Sequence, residues 1–345
     1  MNKLLRIKGY FMGAERLFPL LILLFGLLVC GLPLPADAAG RMITSHGQTY
    51  VPLKNIAASY SMEISAPASD RVRLRNKWHT LEFETGGRRS WIDGTLVWLS
   101  NPVREISGKW VVEELDFNKC LDPSIRPYAF LAHAGSRTVV LDPGHGGKDK
   151  GAVSPRNVYE KLVVLDVAKR VRNQLQARGI HVQLTRERDH FIALSDRCRK
   201  AAAMNADLFV SIHANSAGDN RTVQGIETFV LALPGRYSSN AFGRGNPPTT
   251  VYSGNKFDFA NAALGRRIQK NLVEATGRED RGVKRARFQV LREAPCPAVL
   301  VETAFLSNPR EESVVIDADG REKIARGIAN GILAYLQDVQ RAKKQ

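Results

Sequence analysis

The sequence predicts an α/β fold over residues 138–340, an open mixed sheet with helices on both faces, preceded by a small β-rich α+β domain over 41–122. Apolar, β-branched runs at 138–141, 207–213 and 298–302 alternate with helical stripes at 160–178 and 258–275. Upstream, short alternating segments separated by glycine turns replace that pattern. Between the two parts, Pro123, Pro127, Gly135 and Ser136 mark residues 123–137 as a linker.

The 345-residue chain opens with Lys3, Arg6, Lys8 and Arg16, an apolar stretch over 17–29, and the small-residue site Ala36-Asp37-Ala38. That order is a secretory signal peptide over residues 1–38, cut after Ala38 or Ala39. The short apolar core, followed by Pro33 and Pro35, argues against a permanent membrane span. Lipidation at Cys30 is the less favoured alternative, because Leu28-Val29 leads poorly into that cysteine. The formal net charge is +16, and about +14 remains once the leader is gone. Such a surplus calls for an anionic partner. No basic stripe interleaved with aromatics is present, so nucleic acid is not expected; an exported protein meets anionic lipid, teichoic acid or cell-wall carboxylates first. Cys120, Cys198 and Cys296 are too widely spaced for a disulfide framework or a cysteine zinc site. One bridge with a spare thiol and three buried thiols both stay open.

In the first region Thr49-Tyr50-Val51-Pro52-Leu53 reads as a strand before a short helix at 54–60. Alternation at 72–75 and 78–83 then gives hairpin strands, with turns at Gly86-Gly87, Asp93-Gly94 and Ser107-Gly108. Trp78, Trp91, Trp98 and Trp110 all fall here and are expected in or half in the core, although a carbohydrate platform is conceivable. Tyr50-Val51-Pro52-Leu53, Ile92-Asp93-Gly94 and the 110–115 strand together resemble the small N-terminal module of copper amine oxidases. That resemblance implies a spacer or wall-associated role without copper chemistry.

In the second region the strand at 138–141 breaks at Asp142-Pro143-Gly144 and delivers His145 among glycines. Glu160 opens a helix with Leu162, Leu165, Ala168, Val171 and Leu175 on one face, ended by Gly179. A strand at 181–185 and a helix at 195–205, capped by Ser195, precede the strand that ends in His213. Residues 226–231 form the next strand, 258–275 a helix ended by Gly277, and 298–302 a strand ending in Glu302. Asn308-Pro309 with Glu311 and Glu312 starts the next helix, and Ile324, Ile328, Ile332 and Leu336 face a long C-terminal one.

Sites in open α/β sheets collect at the carboxyl ends of strands, so His145, His213 and Glu302 should share one edge with Glu160 beside them. Two imidazoles and one carboxylate are the ligand set of an open catalytic zinc site, and a second carboxylate can serve as its base. Each residue alone has a plainer reading as a core histidine or a helix-start acid. A carboxylate buried behind Val299-Leu300-Val301 is costly without compensation, which favours the joint reading.

Residues 141–149 with Gly151-Ala152, then Glu160, then Ser211-Ile212-His213-Ala214-Asn215, then 301–308, closely resemble the zinc-dependent N-acetylmuramoyl-L-alanine amidases of bacterial cell walls. The resemblance spans about residues 138–338 and implies Zn2+ held by His145, Glu160 and His213, with Glu302 as general base. It implies hydrolysis of the amide between N-acetylmuramic acid and the L-alanine of the stem peptide, on peptidoglycan, in the periplasm or cell envelope. Asn215 and Arg292 look like contacts that orient a ligand or hold a substrate carboxylate, and Glu227 like part of the site wall. Arg292 reads equally well as a solvated strand-end charge. Ala304 stands where the family commonly has glycine. In some relatives an inserted helix after the 226–231 strand covers the metal until an activator displaces it. Here 231–256 is too rich in Gly, Pro and Ser for a long helix, and a lid or substrate loop is expected instead. A need for an activator protein stays open, and a monomer is expected. A zinc peptidase cutting inside the stem peptide and an inactive wall-binding protein are the rival readings.

Overall fold

The computed structural model describes residues 42–345; the expected leader and its cleavage site lie outside them. The N-terminal strands are β1 (Ile43–Ser45), β2 (Gln48–Pro52), β3 (Glu63–Ala68), β4 (Arg71–Arg75), β5 (Thr80–Glu84), β6 (Arg89–Ile92), β7 (Thr95–Trp98), β8 (Arg104–Ile106) and β9 (Lys109–Glu113). Asp93-Gly94 and Ser107-Gly108 make two of their turns with both residues at positive φ, the hairpin geometry that matches strand twist. The remaining strands are β10 (Thr138–Pro143), β11 (His181–Leu184), β12 (Leu208–Asn215), β13 (Ile226–Leu231), β14 (Asp280–Ala286) and β15 (Ala298–Phe305).

β10, β11, β12 and β15 pair in parallel, and β13 runs antiparallel to β15, so the sheet is mixed as expected. Helices Glu160–Gln176, Asp258–Thr276 and Ala318–Ala342 cover one face, meeting Val139, Leu141, Val210, Val299 and Val301. Leu194–Ala203 and the short helix Gln289–Arg292 cover the other, over Val140, Phe209, Phe229 and Leu300. Gly277 ends its helix in the left-handed conformation, and Asn308 caps the helix Pro309–Ile316 by accepting from the Arg310 and Glu311 N–H groups. Among the described residues no helix is long and apolar enough to cross a membrane.

Periodicity did not reveal how the two regions join. β14 continues through the Val283–Val97 pair into β7, β6, β5, β4 and β3, giving one sheet of eleven strands in the order β11-β10-β12-β15-β13-β14-β7-β6-β5-β4-β3. β1, β2, β9 and β8 form a second, four-stranded sheet. The Leu96 N–H donates to Asp280 at 2.8 Å, Trp98 Nε1 donates to the Arg281 carbonyl at 2.9 Å, and Arg266 reaches Asp93 at 2.6 Å. The expected linker is packed rather than extended: Pro123, Ser124, Ile125, Pro127 and Leu131 are buried, and Ile125 and Leu131 belong to the main core. Trp91, Trp98 and Trp110 are half-buried, whereas Trp78 is 72% exposed and departs from the core expectation.

Because β13 is antiparallel to β15, the 232–257 connection leaves the sheet at the end opposite Glu302. It forms only short 3-10 turns at Ser239–Ala241 and Ser253–Phe257. Arg236 pairs with Glu113, Arg88 lies over Phe242 at 4.2 Å, and the Arg285 N–H donates to Ser239 at 2.9 Å. These ties fasten the segment to the N-terminal strands and β14, and it makes no lid over the histidines.

Candidate metal centre and active site

β10 hands its ladder to Gly144, whose N–H donates to the Ile212 carbonyl at 3.0 Å, and the chain then turns sharply. His145, Gly146 and Gly147 have φ of 58, 127 and 58°, so a non-glycine residue occupies the left-handed region next to two glycines. Gly151 is needed as well: a β-carbon there would stand 2.5 Å from Glu160 Oε2 and 2.7 Å from His145 Cδ2.

Glu160 is the first residue of its helix and is buried. Its carboxylate is fixed by the Ala152 N–H on Oε2 at 2.8 Å and the Ala214 N–H on Oε1 at 3.0 Å. His145 Nε2 lies 3.1 Å from Oε2, and His213 Nδ1 lies 2.9 Å from Oε1. The imidazoles meet edge to face with centroids 4.9 Å apart. One donor atom from each of His145, Glu160 and His213 lies within 4.8 Å of the others. Asp149, four residues after His145, takes the other ring nitrogen, Nδ1, at 2.8 Å and so sets which nitrogen faces the group. Its role went unnoticed in the sequence, although the residue sits inside the glycine-rich run.

Burial disfavours the Glu160 carboxylate, but hydrogen bonds from His145 and His213 outweigh it and hold the carboxyl far below its ordinary value. Burial likewise opposes the His145 imidazolium, and the Glu160 and Asp149 carboxylates reverse that and raise its pKa. Glu302 behaves oppositely. It is the register partner of His213 on one side and of Glu227 on the other. Burial first, then the Glu160 and Glu227 charges, push its carboxyl well above the ordinary range. Glu302 Oε2 is buried and has no hydrogen-bond partner among the described residues. Three converging donors beside an unpartnered carboxylate oxygen fit a bound divalent cation with its adjacent base.

Glu227 is buried and held by Lys284 Nζ at 2.7 Å and Arg281 Nε at 2.6 Å, so it is the charged neighbour of Glu302 on the sheet. Asn215 ends β12 two residues beyond His213; its side chain accepts from the Ser216 N–H at 2.8 Å. Arg292 is the last residue of a short helix rather than a strand end, and its guanidinium lies 5.3 Å from the Tyr252 ring centroid.

The profile of the N-acetylmuramoyl-L-alanine amidase family Amidase_3 matches residues 139–334. N-acetylmuramoyl-L-alanine amidase AmiC of Neisseria meningitidis is 40% identical over 226 residues, covering 59% of this chain and 53% of the relative. The chain thus spans about half the length of that protein. Escherichia coli AmiA is 38% identical over 222 residues, 58% of this chain and 76% of the relative. Among solved structures, the catalytic domain of CwlV from Bacillus (Paenibacillus) polymyxa var. colistinus is 37% identical, covers 58% of this chain and 98% of that one, and gives a TM-score of 0.49. With its family profile covering more than half of its length, this chain belongs to the N-acetylmuramoyl-L-alanine amidase family.

Proposed function

We propose that the chain is an exported, zinc-dependent hydrolase of peptidoglycan that cleaves the amide between N-acetylmuramic acid and L-alanine. The observation that carries this reading is the His145, Glu160 and His213 donor group lying next to the unpartnered Glu302 oxygen. His145, Glu160 and His213 would hold the zinc. When bound, zinc supplies a Lewis acid that polarises the scissile carbonyl and lowers the pKa of water towards about 7. Glu302 takes the proton of the attacking water on its carboxylate and returns it to the nitrogen of the leaving L-alanine. Asp149 keeps the His145 ring turned with Nε2 inward. Glu227 keeps a second negative charge beside Glu302, which makes Glu302 a stronger proton acceptor.

Residues 1–38 act in this reading as a signal peptide, and the protein works as a monomer in the periplasm or cell envelope. Residues 41–122 serve as an accessory region built onto the catalytic sheet. Digestion of purified sacculi tests the reaction. Release of stem peptides with a new amino-terminal L-alanine supports the amidase, whereas a new terminus inside the stem peptide assigns a zinc peptidase instead.

A further inference from the structure

We propose that the buried residues Arg186, Arg197 and Asp142 are positioning residues that hold the three ligand-bearing segments in metal-binding register. The proposal rests on the reading of His145, Glu160 and His213 as ligands. Arg186 and Arg197 are 1% and 2% exposed, and Asp142 is fully buried. Long cations are seldom buried so completely, and here their partners are main-chain oxygens of the histidine loop. The Pro143 carbonyl accepts from Arg186 Nε at 3.0 Å and Arg197 Nη1 at 2.8 Å. The Gly144 carbonyl accepts from Arg186 Nη2 at 2.7 Å, and the His145 carbonyl from Arg197 Nη2 at 2.8 Å. Three successive carbonyls, leading into the left-handed turn at His145, are thus pinned by two planar forks.

The same groups reach the other two ligand segments. Arg186 Nη2 also donates to the Lys161 carbonyl at 2.7 Å, in the first turn of the Glu160 helix. Asp142 Oδ1 accepts from Arg197 at 2.8 Å and from the Thr185 hydroxyl at 2.6 Å. Its Oδ2 accepts from the Ser211 hydroxyl at 2.8 Å, two residues before His213. The cluster therefore touches the His145 loop, the Glu160 helix and the His213 strand at once. Of the two guanidinium groups, Asp142 pairs directly with Arg197 alone; Arg186 is held by main-chain carbonyls, with the charges of Asp142 and Asp189 acting on it from farther away. Two apolar residues would serve stability alone at least as well. A lysine keeps the charge and loses the fork.

The test compares the full chain with Arg186→Lys, Arg197→Lys and, as a control, Arg266→Lys. Arg266 is 3% exposed and donates to the Ser124 and Ile92 carbonyls and the Asp93 carboxylate, the same chemistry among other elements. Zinc dissociation constants are measured by competition with a chromophoric chelator, and unfolding midpoints on the metal-free proteins. The two cluster variants should show a zinc Kd raised by about 10–100-fold, with Arg266→Lys at the wild-type value. Equal Kd values in all four proteins, or an equal loss in the control, overturn the proposal. If a lysine variant fails to fold, Ser211→Ala, which leaves both arginines, carries the test: a Kd raised by about fivefold supports it and an unchanged Kd overturns it. A wild-type chain that takes up no zinc overturns the ligand assignment and the positioning role with it, a result distinct from equal affinities.

Discussion

Gly144→Ala places one methyl group against the centre of the site. The new carbon would stand 2.2 Å from His213 Cε1, 2.5 Å from Nε2 and 2.6 Å from Nδ1. Ordinary contact begins near 3.4 Å, so loop or imidazole must give by about 1.2 Å. The loop cannot easily give, because Arg186 and Arg197 hold the Pro143, Gly144 and His145 carbonyls. The ring must therefore move, by several times the ~0.2 Å tolerance of a metal–ligand distance. A misplacement of ~1 Å costs about 10²-fold in rate, which is ~2.7 kcal/mol of barrier. Gly144 lies outside the left-handed region, so this effect is steric and not a backbone penalty. Zinc content and sacculus digestion of the purified variant are the assays. An alanine variant that binds zinc and cleaves at the wild-type rate refutes the geometry.

Other expectations follow from the same structure. Glu302→Gln should lower kcat by ~10²–10⁴-fold and leave zinc affinity intact if, as proposed, the residue acts on protons and not on the metal; loss of zinc from this variant would make Glu302 a ligand. Asp93 is partly buried, which opposes ionisation, but the His79 ring, the Thr80 N–H and Arg266 outweigh burial and bring its carboxyl to about 2. Its contribution to stability is complete above the unfolded value near 3.8 and disappears as pH falls through about 2. Asp93→Asn should therefore cost about 1–2 kcal/mol at pH 6 and progressively less between pH 4 and pH 2 in denaturant titrations; a pH-independent difference contradicts this. Among the described residues Cys120, Cys198 and Cys296 form no disulfide and are buried, with thiols pushed up to about 11, 12 and 12. A disulfide-exchange reagent should leave all three unlabelled in the native protein and label them on unfolding; labelling of the folded chain at neutral pH counts against their burial.

The placement of the candidate site was legible in apolar strand runs. Glu302 directly follows Ala298-Val299-Leu300-Val301, His213 follows a run broken only by Ser211, and His145 follows the Asp142-Pro143-Gly144 turn after a third run. β12 and β15 continue past His213 and Glu302 to Asn215 and Phe305, and Glu160 is the first residue of its helix. β14 left no such trace. Asp-Arg-Gly-Val-Lys-Arg-Ala is mostly charged, and Lys284 and Arg285 become buried only through Glu227 and the carbonyls of Leu231 and Lys119. Without β14 the joining of the N-terminal hairpins to the sheet that carries the histidines was invisible, since the ladder crosses there by the single pair Val283–Val97 and the other ties are side-chain bonds such as Trp98 to the Arg281 carbonyl. Pro and Gly content made 123–137 look like a linker, yet Ile125 and Leu131 carry it into the core. Arg186 and Arg197 look like ordinary surface cations in the sequence; the carbonyls that hold them come from a loop more than forty residues away.

Metal dependence tests the central claim most directly. Wild-type protein stripped of metal with a chelator should leave purified sacculi intact, and stoichiometric zinc should restore release of peptides beginning with L-alanine, while His145→Ala stays inactive with or without zinc. Full digestion by the zinc-free protein would contradict the account.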